Sequence, residues 1–323
     1  MTLVELRYIV ALAIEGNFSR AAERCSVSQP TLSVAIARIE QELGVALFER
    51  AKGFVSPSPV GAEIVRQARI AIAEAEKIRD IARTGRDQLA GPLRLGVIHT
   101  VGPYLLPPLI VELKRIAPTM PLVIEENMTA ALQEMLAANE IDAAIIALPF
   151  DPPGVATRAL YDESFLVIVP HGHAWQGREA IDPGEMRGDE VLLLKAGNCF
   201  RDQVLGACPQ VSKAETDIHL GYSIGTLRWM VASGLGVSIL PASALQRPHA
   251  SELVTVIPFS PPEPSRRIAL AWRVGFTRPK ALEALADAVR ALDQPAFRHV
   301  EPAQRPPRIE AGGSGPASLH RQA

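Results

Sequence analysis

The sequence has little cysteine, few aromatic residues and no long apolar run. Its 323 residues include 3 cysteines and 5% aromatics. Three cysteines cannot build a disulfide framework, and no stretch of about 18 residues is apolar and uncharged enough to span a membrane. The N-terminal segment, which carries Glu5 and Glu15, lacks the basic-then-apolar order of a secretory signal. We expect a protein of the reducing cytoplasm with no membrane contact, no metal site and no cofactor.

An excess of one charge sign is also absent. The chain has 33 basic and 35 acidic residues, a formal net charge of −2. Taken alone, this near-neutrality argues mildly against a nucleic-acid partner. The length predicts about two domains, and the 48% hydrophobic share is enough for each of them to bury a core.

Residues 1–59 predict a helical domain with a small two-stranded wing. A first helix is followed by a short helix, a tight turn and a longer helix, which begins at Ser28 with a proline in its first turn and ends at Gly44. This order is typical of a helix-turn-helix, in which the start of the second motif helix reaches base edges. The expected DNA contacts are Gln29, Pro30, Thr31, Ser33, Arg38 and, in the wing, Arg50. The alternative is a three-helix structural cap without DNA.

Residues 60–90 predict one long helix. Its apolar positions recur at spacings of three and four, which is typical of a dimerising seam. These positions are Val60, Ile64, Ala68, Ala71, Ala75, Ile78 and Ala82. The alternative is a helix that lies on the core of its own domain.

Residues 91–300 change in texture, because short buried strands now alternate with helical segments. Runs such as LRLGVI, DAAIIAL and GVSILP alternate with helices such as TAALQEMLAAN, which predicts an α/β domain. The whole chain is therefore expected to be α+β at its N-terminus and α/β in its larger domain. Residues 301–323 are rich in Pro, Gly and polar residues and are expected to form a disordered tail.

Two of the cysteines lie close together in the sequence. Asn198 is a good helix cap, so Cys199 is expected in the first turn of a short helix, with Arg201 nearby; both features favour a thiolate. Cys208 follows nine residues later, about 13.5 Å along a continuous helix, whereas a disulfide needs Cα atoms within about 7 Å. Bridging them would require this segment to refold. The alternative is two unrelated buried thiols, and Cys25 is interpreted as a small buried hydrophobe.

The first 66 residues, from MTLVELRYIV to the SPVG segment, resemble the winged helix-turn-helix of LysR-type transcriptional regulators. GNCFRDQVLGAC and HTVGPYLLP further resemble the OxyR subfamily, the branch of that family that responds to hydrogen peroxide. The resemblance implies a linker helix and a regulatory domain of two lobes like periplasmic binding proteins. Lobe I would comprise residues 91–162 and 266–300, and lobe II residues 163–265. It also implies a homotetramer that binds promoter DNA and contacts RNA polymerase.

The resemblance further implies that Cys199 is the peroxidatic cysteine and Cys208 the resolving one. Around them it implies a peroxide pocket of Thr100, Thr129, Asn198, Asp202 and Arg266, with Thr129 capping a helix; Arg267, beside Arg266, leaves that choice open. Asn198 replaces the histidine that is usual in the subfamily, and His99 is a candidate to compensate, although a solvent-facing loop position is the simpler expectation. The function implied is an activator of oxidative-stress genes in which a reversible Cys199–Cys208 disulfide refolds the regulatory domain and alters DNA binding, and the protein is not expected to be an enzyme. The alternatives are a regulator that binds a small carboxylate between its lobes and a thiol peroxidase.

Overall fold

The computed structural model describes residues 1–51, 54–84, 87–186, 191–211, 220–246 and 253–300. The predicted tail therefore lies outside the described residues. The N-terminal domain has helices α1 (Leu3–Glu15), α2 (Phe18–Arg24) and α3 (Gln29–Leu43), followed by strands β1 (Phe48–Ala51) and β2 (Phe54–Pro57). The two strands pair antiparallel and form the predicted wing.

Side-chain caps fix the beginnings of these helices. Thr2 forms a capping box with Glu5, and Asn17 Oδ1 accepts from the backbone N–H groups of Ser19 and Arg20. Ser28 Oγ accepts from the N–H of Thr31 at 3.3 Å, which starts α3 at the turn. The helix ends at Gly44, whose φ of 71° is a left-handed conformation that glycine adopts without strain.

The long helix α4 (Pro59–Thr84) packs in part on its own domain. Val65 and Ala68 are buried in the same core as Leu12 and Ile36. Val60 and Ile78, which belong to the predicted seam, are 52% and 70% exposed. The domain's own core therefore explains part of the apolar pattern, whereas Val60 and Ile78 remain available to a second chain.

Residues 91–300 form alternating strands and helices. The strands are β3 (Leu93–Ile98), β4 (Leu122–Asn127), β5 (Ala143–Ala147), β6 (Val155–Pro170), β7 (Val191–Leu194), β8 (Leu220–Gly221), β9 (Val237–Pro241), β10 (Val254–Pro258), β11 (Ser265–Arg273) and β12 (Arg298–His299). The helices are α5 (Gly102–Ile116), α6 (Thr129–Ala137), α7 (Cys199–Ala207), α8 (Ile224–Ala232) and α9 (Pro279–Arg290).

One strand order connects these elements: β4-β3-β5-β11-β6-β9-β7-β8, with β10 and β12 also paired to β6. β3 is parallel to β4 and β5, and β7 is parallel to β8 and β9. The residues of β5 are all buried, as expected for a strand covered on both faces. The long strand β6 pairs with β11 through its first half and with β9 and β10 through its second half.

The two halves of β6 belong to two separate hydrophobic cores. One core draws its residues from 93–161 and 268–297, and the other from 165–259. We call these two units lobe I and lobe II. β6 and β11 are the strands that run between them, so side chains near residues 162–165 and 265–267 lie at the junction.

One side chain contacts four carbonyl groups of the hinge between α4 and lobe I. The Arg278 guanidinium, at the start of α9, donates to the carbonyl oxygens of Gln88, Ala90, Gly91 and Pro92 at 2.8 to 3.1 Å. These contacts fix the backbone that joins the N-terminal domain to the lobes. Within the described residues, no helix is long and apolar enough to cross a membrane.

Candidate thiol site and helix-turn-helix surface

The helix α7 begins at Cys199 because Asn198 caps it. Asn198 Oδ1 accepts from the N–H of Phe200 at 3.0 Å, and Asn198 itself is buried. Cys199 is half-buried and packs against the core of lobe I, whereas Phe200 and Val204 belong to the core of lobe II. The first turns of α7 therefore lie between the two lobes, with the Cys199 thiol on the side of lobe I.

The Cys199 thiol faces a small open pocket of about 160 Å³. The pocket is formed where the end of β3, the start of α6 and the start of α7 meet. Its lining residues are Ile98, His99, Thr100, Asn127, Met128, Thr129, Asn198 and Cys199. Three residues of the predicted pocket, Thr100, Thr129 and Asn198, are thus brought beside the predicted peroxidatic cysteine. His99 is exposed, as a loop position predicts, yet it also lines this pocket.

The hydroxyl of Thr129 does not have the predicted capping role. The residue at the cap of α6 is Met128, and Thr129 is the first residue of the helix proper. Its Oγ1 is buried and has no hydrogen-bond partner among the described residues. A buried hydroxyl without a partner is costly, and Thr129 is one of the residues that line the pocket beside Cys199.

Thr100 is held by a buried arginine. Arg266 Nη1 donates to Thr100 Oγ1 at 2.8 Å, and Nη2 donates to the Thr100 carbonyl at 3.0 Å. Arg266 is buried, and its Cζ lies 5.0 Å from the centre of the Phe200 ring. The neighbouring Arg267 is instead exposed and pairs with Asp162. Of the two candidate arginines, Arg266 is therefore the one that contacts the pocket wall.

Glu163 is a site residue that the sequence analysis missed. Its carboxylate is fully buried and accepts from Arg266 Nε at 2.8 Å and from the N–H of Ser243 at 2.8 Å. In the register of β6 and β11, Glu163 lies directly opposite Arg266. A charged residue at the start of the apolar run FLVIVP was the available signal, but its partner is identified only once the strand pairing is known.

Asp202 is outside the pocket, contrary to its predicted role. It is exposed, and it is not one of the residues that line the cavity. An exposed carboxylate in the first turn of α7 is favourable next to the helix N-terminus and needs no pocket to explain it. Arg201 is also not one of the residues that line the pocket. Its Nη1 donates to the carbonyl of Leu194 at 3.0 Å.

Cys208 lies at the other end of α7, as its C-cap, and is fully buried in the core of lobe II. Burial, reinforced by the charge of Asp182, raises the pKa of its thiol to about 11. Both cysteines are free thiols. A helix separates them along its whole length, and its rise of about 1.5 Å per residue keeps them too far apart for a disulfide.

The first turns of α3 present a polar surface. Gln29, Pro30 and Thr31 are exposed, and Ser33 is half-exposed. Arg38 is largely exposed at its guanidinium and forms an ion pair with the buried carboxylate of Glu5 on α1. Arg50 lies in β1, opposite Val55 in the register of the wing. The predicted contact residues of α3 thus lie along an accessible helix that its own domain supports from behind.

Two family models match the chain. Residues 3–62 match the model described as "Bacterial regulatory helix-turn-helix protein, lysR family", and residues 86–294 match the "LysR substrate binding domain". Together they cover the N-terminal domain and both lobes.

Full-length relatives are similar over nearly the whole chain. The hydrogen peroxide-inducible genes activator of Pectobacterium carotovorum subsp. carotovorum is 38% identical over 291 residues, 90% of this chain and 96% of that protein. The structure of a full-length Pseudomonas aeruginosa OxyR cysteine-to-aspartate variant is 51% identical with a TM-score of 0.73, covering 90% of this chain and 98% of that one. An H2O2-bound cysteine-to-serine mutant of Corynebacterium glutamicum OxyR is 31% identical with a TM-score of 0.61, covering 90% and 91%.

Proposed function

This chain belongs to the LysR family of bacterial regulatory proteins and resembles its OxyR members, and we propose that it is a DNA-binding transcriptional regulator that senses hydrogen peroxide. The sensing thiol is Cys199 and the resolving thiol is Cys208. The observation that carries the proposal is the pocket beside Cys199, where the buried Thr129 hydroxyl has no partner among the described residues.

The size and chemistry of this pocket favour a very small polar ligand. The space inside it that a water-sized molecule can occupy is about 10 Å³, close to what a single water needs and far less than a metabolite requires. Thr100 and Thr129 line the pocket together with Cys199, and a hydroxyl can both donate and accept. Peroxide has the same property at each of its oxygens, so it can pair with Thr100, Thr129 and the cysteine at once.

The first chemical step is attack of the Cys199 thiolate on one peroxide oxygen. The S–O bond forms as the O–O bond breaks, the other oxygen takes up a proton and leaves as water, and Cys199 becomes a sulfenic acid. The thiolate is the form that attacks peroxide, and Cys199 is the first residue of α7. Asn198 holds that helix start through its cap, but its amide cannot act as a base.

The second step joins the two cysteines. The Cys208 thiolate attacks the Cys199 sulfur, the S–S bond forms, and the sulfenic oxygen takes up a proton and leaves as water. Because α7 holds the thiols apart and Cys208 is buried in lobe II, the helix must unwind before this bond can form. Oxidation therefore changes the contacts that α7 makes with both lobes.

A change between the lobes reaches DNA through the hinge that Arg278 holds and through α4. We infer that the protein works as a homotetramer, a dimer of dimers, in which two-fold-related α3 helices read a promoter operator. The proposal includes activation of oxidative-stress genes through RNA polymerase, in the cytoplasm where that DNA lies. The peroxide is consumed as a signal and not turned over, so the protein is not proposed as an enzyme.

The test is disulfide mapping and DNA footprinting of the full-length protein before and after near-stoichiometric peroxide. We expect a Cys199–Cys208 bridge and a changed footprint in the wild type. Cys199→Ser should bind DNA but give the same footprint with and without peroxide, and the matched control Cys25→Ser should respond as the wild type does. A retained response in Cys199→Ser would refute the sensor. Stabilisation by a small carboxylate, without any response to peroxide, would favour the effector-binding alternative.

A further inference from the structure

We propose that Glu163 is a positioning residue of the peroxide site, acting through Arg266 on the hydroxyl of Thr100. The inference rests on the proposed peroxide function and extends it to a residue outside the pocket. Glu163 does not line the cavity; it lies behind the wall, on β6 at the junction of the two lobes.

The first argument is the burial of the pair. The side chains of Glu163 and Arg266 are both 0% exposed, and they are joined at 2.8 Å. Burying two charges removes their hydration, and apolar packing of the same volume is often at least as stable. The pair therefore does not need to be charged for the stability of the fold. Its geometry gives a different reason, which is that it positions Thr100.

The second argument is the direction of each guanidinium donor. Nε is fixed by Glu163, and because the guanidinium is planar, this sets the plane in which Nη1 and Nη2 reach the hydroxyl and carbonyl oxygens of Thr100. Thr100 Oγ1 thus accepts from a cation. Its hydroxyl hydrogen is then directed away from Arg266, and Thr100 is one of the residues that line the pocket. Thr100 becomes a hydrogen-bond donor to the peroxide oxygen that leaves.

The third argument is the set of elements that Glu163 connects. Its other oxygen accepts from the N–H of Ser243 in lobe II, while Thr100 belongs to lobe I. Arg266 also stacks on Phe200, the residue that follows Cys199 in α7. One carboxylate therefore fixes the pocket wall relative to the helix that carries the thiol.

The experiment measures the second-order rate at which peroxide oxidises Cys199 in the full-length protein, with Glu163→Gln as the main variant. Losing the charged acceptor frees Arg266 to turn, and we expect the rate to fall about tenfold. Asp162→Asn is the matched control, because it breaks the neighbouring exposed pair with Arg267 on the same two strands. It should leave the rate unchanged.

A merely structural role is separated by two further measurements. Alkylation of Cys199 by iodoacetamide does not use the Thr100 hydroxyl, so its rate should be the same in Glu163→Gln and wild type. In a Thr100→Val background, adding Glu163→Gln should cause little further loss of the peroxide rate. The inference is overturned if Glu163→Gln reacts with peroxide at the wild-type rate, or if its reactions with peroxide and with iodoacetamide slow by the same factor. It is also overturned if the rate losses caused by Thr100→Val and Glu163→Gln multiply in the double variant.

A second variant tests the inference if Glu163→Gln does not fold. The paired variant Glu163→Leu with Arg266→Met removes both buried charges together. Its peroxide rate should match that of Thr100→Val, and a wild-type rate would overturn the inference. If wild-type Cys199 itself does not react with peroxide, the proposed function fails. A reactive wild type with an equally reactive Glu163→Gln removes only the role of Glu163.

Discussion

Cys199 and Cys208 occupy opposite ends of α7, and their surroundings differ in burial and in access to the pocket. Cys199 is half-buried at the helix start and opens on a pocket with two threonine hydroxyls. Cys208 is fully buried at the helix end among the apolar residues of lobe II, with its pKa raised to about 11. One thiol is therefore arranged to meet a small oxidant, and the other is protected from it.

This difference shows how a single helix can set the order of two reactions, the oxidation of Cys199 and the later bond to Cys208. In the proposed mechanism oxidation starts at Cys199, because that end borders the pocket and the buried Cys208 keeps its proton. The bond to Cys208 then requires α7 to unwind, so the chemistry at one end cannot be completed without a conformational change at the other. The intact helix α7 therefore distinguishes the reduced state from the disulfide-bonded state.

The largest expected effect comes from removing the protected end. Cys208→Ala should abolish the intramolecular disulfide while leaving the first oxidation intact, so Cys199 accumulates as a sulfenic acid or oxidises further. Mass spectrometry after dimedone trapping measures this directly. Cys25→Ala is the control and should still form the Cys199–Cys208 bridge. A new bridge between Cys199 and Cys25, formed as fast as the wild-type one, would contradict the assigned pairing.

A smaller effect is expected from the pocket at the exposed end. Thr129→Val removes the hydroxyl that has no partner in the described structure, and we expect peroxide oxidation of Cys199 to slow about tenfold. Thr129→Ser keeps the hydroxyl and should stay close to the wild-type rate. Stopped-flow kinetics at a fixed pH measures both variants. Equal rates for Thr129→Val and wild type would mean that the hydroxyl does not bind the oxidant.

The residues that line the pocket were easier to predict from the sequence than the buried residues that hold them in place. Asn198 as a cap and Cys199 in a first helical turn follow local rules that neighbouring residues reveal. The family resemblance supplied Thr100, Thr129 and Arg266 as pocket residues. Glu163 could not be found in this way, since its partner is more than 100 residues away and is set by the register of β6 and β11.

Two side chains do not have the roles that the resemblance implied. Thr129 was expected to cap α6, but the extended backbone at Met128 makes that residue the cap and leaves the threonine inside the helix. Asp202 was expected in the pocket, yet the helix start accounts for it without a ligand. The fold was predicted more fully, because the alternation of strands and helices is strong. The first half of β6 was missed, since its segment VATRALYDE mixes polar and apolar residues.

The smallest expected effect concerns the stability that the protected thiol contributes at high pH. Burial first, and the charge of Asp182 second, raise the pKa of Cys208 from 9.0 to about 11. Between these values the unfolded chain releases the Cys208 proton while the folded chain keeps it, so the free energy of unfolding falls as pH rises. The contribution is fully present below pH 9 and is lost by about pH 11. Denaturant titrations of reduced protein across this window should therefore show a loss on the order of 1 kcal/mol in wild type beyond that in Cys208→Ala. Parallel pH profiles for the two proteins would mean that Cys208 is not shielded in the folded state, and the contrast between the two ends of α7 would then rest on the pocket alone.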